Sequence, residues 1–300
     1  MTIAIQSAHS NILSFDVEEW FQVGNFRNYT HPEEWESLES RVEVGVDFIL
    51  QSLADHGIRA TFFLVGWVAE RHKDMVGRIF SEGHDIGVHG YRHESITTQA
   101  PKSFEDDLRR AIGVVSDITG QPVKGYRAPS YTLTPRTLWA VDILRKHGIE
   151  YDSSVYPIKG HPNYGFPGAP SEPFQFDNGL YEFPMSTFRI AGRVVPFGSG
   201  AYFRLLPFWL THWVGQSLNH RRRFFTINIH PWELDPAQTV LKGIHWSHRF
   251  RHYVNLGTNR QKFLELISCF RFTGFTAAIE DGCFPQARIE DGKIRLSYVY

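Results

Sequence analysis

The chain has 300 residues, 42% hydrophobic and 21% charged, which are ordinary proportions for a globular protein able to bury a sizeable core as one large α/β domain or two smaller ones. Its net charge of −1 provides no global field for nucleic acid or an acidic membrane surface, and no apolar run is long enough to span a bilayer. Two cysteines, Cys269 and Cys283, exclude a disulfide framework and suit a reducing compartment.

The segment Met1–Ser10 lacks the basic and long apolar regions of a secretory signal, so the expectation is a soluble cytoplasmic protein, with room for a membrane-associated partner. Aromatic residues make up 15% of the chain, which fits a rigid core and equally a groove lined with rings.

In chain order, Asn11-Ile12-Leu13-Ser14-Phe15-Asp16 is an apolar run ending in an acid, the pattern of a buried parallel strand that delivers a carboxylate. Val17-Glu18-Glu19-Trp20-Phe21 reads as a loop. Helical periodicity runs from about Glu33 to His56, with Val42, Val46, Ile49, Leu50 and Leu53 on one stripe and Gly57 as the stop. Ala60–Val65 reads as a second strand, Val68–Phe80 as a helix and His84–Val88 as a third strand.

Phe104–Thr119 is helical, Val123–Tyr126 a strand, and Thr134-Pro135 opens a helix to Lys146. Ile149–Asp152 is another strand ending in an acid. Residues 157–173 are rich in Pro and Gly and read as a long irregular loop; strands resume near Tyr181 and Arg193. Tyr202–Asn219 reads as helical despite Pro207, the run Arg221-Arg222-Arg223 as a solvated helix end, and Phe224–His230 as a last buried strand. An amphipathic helix near Asn259–Arg271 and short strands complete the chain. This is βα repetition with short connections, the pattern of a parallel sheet or barrel.

Chemistry concentrates at the strand ends. His89-Gly90-Tyr91-Arg92-His93 places two imidazoles four residues apart where a strand finishes; if a helix begins there, both meet on one face. Two neutral imidazoles leave room on zinc for a carboxylate and water. Asp16 with Glu18, Arg127, Asp152 and His230 end four further strands. Singly, each has an ordinary structural explanation, such as a helix cap, an ion pair, an Asx turn or a satisfied core histidine. Polar groups at the ends of several different strands are the mark of a catalytic face on a βα barrel.

The ordered set Ser14-Phe15-Asp16, His89-x-x-x-His93, Arg127-Ala128-Pro129, Asp152-Ser153-Ser154 and Ile227-Asn228-Ile229-His230 resembles the NodB-like polysaccharide deacetylases. Phe15–Phe21 and Tyr202-Phe203-Arg204-Leu205-Leu206-Pro207 resemble, more narrowly, deacetylases of bacterial exopolysaccharide loci associated with PEP-CTERM/exosortase systems. The resemblance implies a distorted (β/α) barrel over residues 1–235, with a C-terminal extension, 236–300, packed on the same domain. It implies metal-dependent hydrolysis of the N-acetyl group of an amino sugar in a polysaccharide or lipid-linked oligosaccharide.

Carried onto this sequence, the resemblance implies Asp16 as base, His89 and His93 as metal ligands, and Arg127 as the ion pair orienting the base. It further implies Asp152 paired with His230, the acid, and a backbone N–H near Ser130 as oxyanion donor, with Ser130 and Tyr131 at the substrate. One departure stands out. The family pattern has two adjacent aspartates, whereas Val17 follows Asp16; Glu18, on the same side of an extended chain, is the substitute ligand and Glu19 a weaker one. Zinc is the expected metal, with cobalt or nickel fitting the same donors.

His245, His248 and His252 lie at helical spacing and read as a second metal site or as an aromatic–basic surface segment. Trp20, Phe21, Tyr131 and Trp232 read as sugar-stacking rings or as loop packing. Two other functions remain open at this level: hydrolysis of a small cyclic amide, as in allantoinase-like relatives, and non-catalytic carbohydrate binding.

Overall fold

The computed structural model describes residues 10–159 and 164–297, so the expectations for residues 1–9 and for part of the Pro/Gly-rich loop lie outside it. The chain runs β1 (Asn11–Val17), α1 (Val42–His56), β2 (Thr61–Leu64), α2 (Gly66–Arg71), α3 (Lys73–Ser81), β3 (Asp85–Val88), α4 (Pro101–Thr119) and β4 (Gly125–Tyr126). Next come α5 (Ala140–Lys146), β5 (Tyr151–Asp152), β6 (Phe174–Phe176), β7 (Tyr181–Glu182) and a hairpin, β8 (Thr187–Ile190) with β9 (Arg193–Pro196). The remainder is α6 (Gly200–Leu205), α7 (Phe208–His220), β10 (Thr226–Ile229), α8 (Trp246–Tyr253), α9 (Leu256–Cys269), β11 (Phe272–Thr273), α10 (Phe275–Asp281), β12 (Gln286–Glu290) and β13 (Lys293–Ser297).

The main sheet has the order β10-β1-β2-β3-β4-β5-β7-β6-β12-β13, and β11 pairs with β1. Pairing from β10 through β5 to β7 is parallel throughout, as the βα alternation predicts. Between β7 and β10 the circuit is carried by irregular chain. The N–H groups of Phe197 and Gly198 donate to Ser186 O, and Asn228 N–H donates to Gly198 O. The result is the distorted α/β barrel expected from sequence, with every site-bearing strand directing its carboxyl end to one face.

Inside the barrel, two glycines are needed because side chains cross where a Cβ would stand. A Cβ on Gly87 would lie 2.6 Å from the Phe63 ring, and one on Gly125 would lie 2.4 Å from the Tyr151 ring. Phe63, Tyr151, Phe183 and Phe275 form an aromatic floor beneath the site. Phe275 is the first residue of α10. Its N–H donates to Thr61 Oγ1 at 3.0 Å, and the next N–H, of Thr276, donates to Asp85 Oδ2 at 3.0 Å.

Four helical expectations need correction. The periodic stretch 33–56 breaks into a 3-10 segment, Pro32–Ser37, and α1. The start of α1 is dictated from outside, by the buried Glu19 carboxylate, which accepts the N–H groups of Arg41 at 3.1 Å and Val42 at 3.4 Å. The helix expected over 68–80 divides at His72, whose ring bridges Glu43 and Ser40. After Thr134-Pro135 the regular helix begins only at Ala140, because the Thr137 hydroxyl takes the Thr134 N–H at 2.8 Å and organises a turn instead. Pro207, lacking an N–H, separates α6 from α7.

Candidate active site

His89 and His93 do meet, with ring centroids 4.9 Å apart, but on a turn rather than a helix. Gly90 at φ 70° and His93 at φ 53° reverse the chain. The turn is clamped from two sides. The first N–H groups of α2, of Gly66 and Trp67, donate to the carbonyls of Gly90 and Tyr91, while the half-buried Asp107 accepts the N–H groups of Tyr91 at 2.7 Å and Arg92 at 3.1 Å. Backbone conformation, not helical periodicity, sets the imidazole pair.

Both rings are oriented through Nδ1. His89 Nδ1 bonds Arg127 O at 2.7 Å, and His93 Nδ1 bonds Gln22 O at 2.9 Å. A carbonyl only accepts, so each Nδ1 is the donor and each Nε2 is left for the site, the arrangement that holds metal-ligating histidines. Glu18 Oε2 stands 2.7 Å from His93 Nε2. Glu18, His89 and His93 form a buried cluster whose ligand atoms lie within 4.8 Å of one another, the one such group found among the described residues. Two imidazoles, one carboxylate and an open side fit a divalent cation such as zinc.

Asp16 is held differently. Arg127, wholly buried, sends Nη1 to Asp16 Oδ1 at 2.8 Å, to Ser14 Oγ at 2.8 Å and to Asn228 Oδ1 at 2.6 Å. Its Nε and Nη2 donate to Ser153 O and Oγ. Asn228 Nδ2 donates to the other Asp16 oxygen, Oδ2, at 2.8 Å. That oxygen also lies 3.7 Å from His89 Nε2 and 3.8 Å from His230 Nε2. Burial alone would raise the Asp16 pKa, but the charge of Arg127, followed by His89 and His230, holds the carboxyl below its ordinary range. Burial raises Glu18 likewise and is outweighed by His93 and His230, so it too stays ionised.

The expected Asp152–His230 pair does not form. His230 Nδ1 bonds Glu233 Oε2 at 2.8 Å, and the His230 backbone N–H donates to the same oxygen at 2.9 Å. Glu233 is anchored in turn by Arg204 Nε at 2.7 Å, and Arg204 donates its remaining N–H groups to the carbonyls of Arg251, His252 and Val254. Burial disfavours the imidazolium, yet Glu233 and then Glu18 raise the His230 pKa to about 9. Burial pushes Glu233 up, and His230 with Arg204 draws it down to about 2.

Sequence reading missed Glu233. Its signal was available in His230-Pro231-Trp232-Glu233, an acid three residues after a strand-end histidine and a proline, the spacing of a reciprocal cap. Asp152 instead lies beside Glu182 across the β5–β7 pairing, and it accepts from Ser154 Oγ. Both carboxyls are buried, and burial raises Asp152 to about 6 and Glu182 well above its ordinary value. The pair braces the segment that holds Arg127: Ala128 N–H donates to Ser154 Oγ at 2.7 Å, and Val155 N–H donates to Glu182 Oε1 at 2.9 Å.

Ser130 and Tyr131 sit side by side in the left-handed region, at φ 57° and 54°. Ser130 is half-buried, while Tyr131 is buried against Tyr156, so Tyr131 offers no open face for sugar stacking. Trp20 and Phe21 are equally enclosed. Trp232 packs between the rings of His230 and His252, and its indole N–H donates to Glu18 Oε1 at 3.0 Å. Glu19 is not a ligand, since it caps α1. His252 is fully buried with Nε2 on Gln238, whereas His245 and His248 are not buried, so the three do not share a site.

The fold and site define a class: an α/β barrel whose strand ends gather a carboxylate–arginine pair, a two-imidazole, one-carboxylate cluster and a second imidazole. Residues 42–151 match the family described as polysaccharide deacetylase, and residues 153–280 match a domain of unknown function, DUF3473. The peptidoglycan deacetylase of Helicobacter pylori is 33% identical over 79 residues, which is 26% of this chain and 27% of that protein. A structure from Mycobacterium smegmatis, assigned by name to the polysaccharide deacetylases, superposes with a TM-score of 0.58 at 18% identity, covering 91% of each chain. Puue allantoinase superposes with a TM-score of 0.54 at 16% identity, over 87% of this chain and 85% of that one. The likeness to the polysaccharide deacetylase family thus rests on residues 42–151, the chain spans about a quarter of the length of the curated relative it matches, and the likeness to the two solved structures is one of fold.

Proposed function

We propose that the protein is a metal-dependent hydrolase that removes N-acetyl groups from amino sugars of a polysaccharide or lipid-linked oligosaccharide. The observation that carries this reading is the convergence of three differently tuned groups. These are an ionised Asp16, a Glu18/His89/His93 cluster with both Nε2 atoms turned inward, and a protonated His230 whose Nε2 lies less than 4 Å from both acids.

A divalent metal on Glu18, His89 and His93 would supply Lewis-acid polarisation of the acetamide and water. Asp16, steadied by Arg127 and Asn228, accepts the proton of the attacking water as the new carbon–oxygen bond forms. His230, with Nδ1 committed to Glu233, presents Nε2–H to the sugar nitrogen as the carbon–nitrogen bond breaks. Acetate and the free amine result. On this reading the oxyanion donor is a backbone N–H near Ser130, on the turn beside Arg127.

The Tyr202–Pro207 motif supports the narrower placement with PEP-CTERM/exosortase exopolysaccharide loci. Its Arg204 anchors Glu233 and so reaches the site. We place the activity on the cytoplasmic side, and zinc in the metal site.

The test is acetate release from oligomers of N-acetylglucosamine by the purified protein, before and after chelation and on return of zinc, cobalt or nickel, with allantoin in parallel. Acetate that disappears with chelator and returns with metal is expected. Hydrolysis of allantoin alone would transfer the reading to small cyclic amides, and no hydrolysis of either would leave a binding protein.

A further inference from the structure

Away from the site, the surface formed by α7 and the β8–β9 hairpin lacks the usual features of a face turned to water. Helix α7 buries Thr211, Val214, Gly215 and Leu218, and its opposite stripe is Trp209, Trp213, Gln216 and His220. Exposed helix stripes ordinarily carry charge. This one carries two indoles, 68% and 51% exposed. The hairpin is fastened to it by Phe188, whose ring meets Trp213 edge-on at 5.4 Å, and near its tip Ile190 and Val194 are exposed.

The charge pattern is as unusual. From Phe183 to Trp232 the sequence contains no Asp or Glu, but it holds Arg189, Arg193, Arg204, Arg221, Arg222 and Arg223. Arg204 is buried at the site and Arg223 pairs with Glu172. The side chains of Arg189, Arg193, Arg221 and Arg222 are exposed and make no ion pair or hydrogen bond among the described residues. A net charge of −1 for the whole chain conceals this local excess.

We propose that this surface docks on an anionic lipid bilayer with the hairpin tip leading, Trp209, Trp213 and, from the two faces of the tip, Ile190 and Val194 entering the headgroup–acyl boundary while Arg189, Arg193, Arg221 and Arg222 meet lipid phosphates. Indoles favour that boundary, and aliphatic side chains gain by leaving water there. Guanidinium groups pair with phosphate in a forked geometry. A second copy of the chain is a poorer occupant, because α7 and the hairpin supply cations and no carboxylate of their own to answer them across a two-fold axis. A glycan would stack on the indoles but leave Ile190 and Val194 in water.

The test is flotation of the full chain with phosphatidylcholine vesicles and with phosphatidylcholine–phosphatidylglycerol vesicles. Binding to the anionic vesicles alone is expected, weakening as salt rises from about 0.1 M to about 1 M, where the screening length falls from about 10 Å to about 3 Å. An arginine near such a surface contributes about fivefold in affinity, so Arg189→Gln with Arg193→Gln should cost about 25-fold. Trp209→Ser with Trp213→Ser should abolish the blue shift of tryptophan emission on binding. The arginine variant lies on an exposed hairpin, so it decides the matter even if the tryptophan variant fails to fold. Equal binding to neutral vesicles, unchanged binding by the arginine variant, or a dimer that either variant dissolves would each overturn the proposal.

Discussion

Two pairs of buried acids occupy the same barrel and ionise in opposite ways. Asp16 and Glu18 face the site, and Asp152 and Glu182 face each other in its wall. All four are almost inaccessible to water. What separates them is the company. Asp16 has a guanidinium at 2.8 Å and Glu18 an imidazole at 2.7 Å, so both are held below their ordinary range despite burial. Asp152 and Glu182 meet hydroxyls, backbone N–H groups and one another, so burial prevails and both rise. Depth in a protein does not determine a carboxyl's charge; the nearest cation does.

The sharpest way to break this contrast is to remove the cation. Arg127→Met leaves Asp16 buried without its partner, a change that costs about 3–5 kcal/mol when a buried ion pair loses one member. Urea unfolding should show a loss of that size or a chain that does not fold. A loss under about 1 kcal/mol would mean that Asn228 and Ser14 suffice.

The two aspartates should then respond differently to amidation. Asp16→Asn removes the proton acceptor and should lower kcat about 10²–10⁴-fold while metal stays bound. Asp152→Asn should leave kcat within about tenfold, since it acts only on the segment behind Arg127. Comparable losses in the two variants would contradict separate roles.

The glutamates form a matching experiment. Glu18→Gln exchanges an anionic ligand for a weak neutral one, so metal content by plasma mass spectrometry should fall and excess metal should partly restore the rate. Glu182→Gln mimics the protonated form that burial favours, and it should change stability by less than about 1 kcal/mol, the scale of one neutral hydrogen bond. If Glu182→Gln were the more damaging, Glu182 would be ionised in the native protein.

Two smaller effects concern pH. Glu233→Gln withdraws the charge that raises His230 to about 9, so the basic limb of kcat/KM should move to lower pH. An unmoved limb would detach His230 from the acid role. Asp152 is raised from 3.8 to about 6, so the native state binds the extra proton between those values. Its contribution to stability therefore declines as pH rises through that window. Measured by urea melts from pH 4 to pH 7, Asp152→Asn should gain on the wild type across the same window. A constant difference would place the proton on Glu182 throughout.

The contrast also marks where sequence reading succeeds. The βα alternation and the strand-end positions of Asp16, His89, Arg127, Asp152 and His230 are legible from apolar runs and spacing, whereas Glu18 in place of a second aspartate is what the family resemblance implies. Those signals are local, and period-2 and period-3.6 patterns record which face is buried. Pairings across the barrel are not local. Sequence reading paired His230 with Asp152, and only the closure of the barrel, with Arg204 behind Glu233, brought Glu233 to His230 instead. The imidazole pair likewise depends on a turn clamped by Asp107 and the first turn of α2, which no spacing between His89 and His93 encodes. By itself the sequence determined which strands are buried and which polar side chains stand at their ends. Tertiary structure alone decided which of those side chains touch, and with it which acids are charged, because a carboxyl's ionisation is set within a few ångströms by neighbours that lie more than two hundred residues away along the chain.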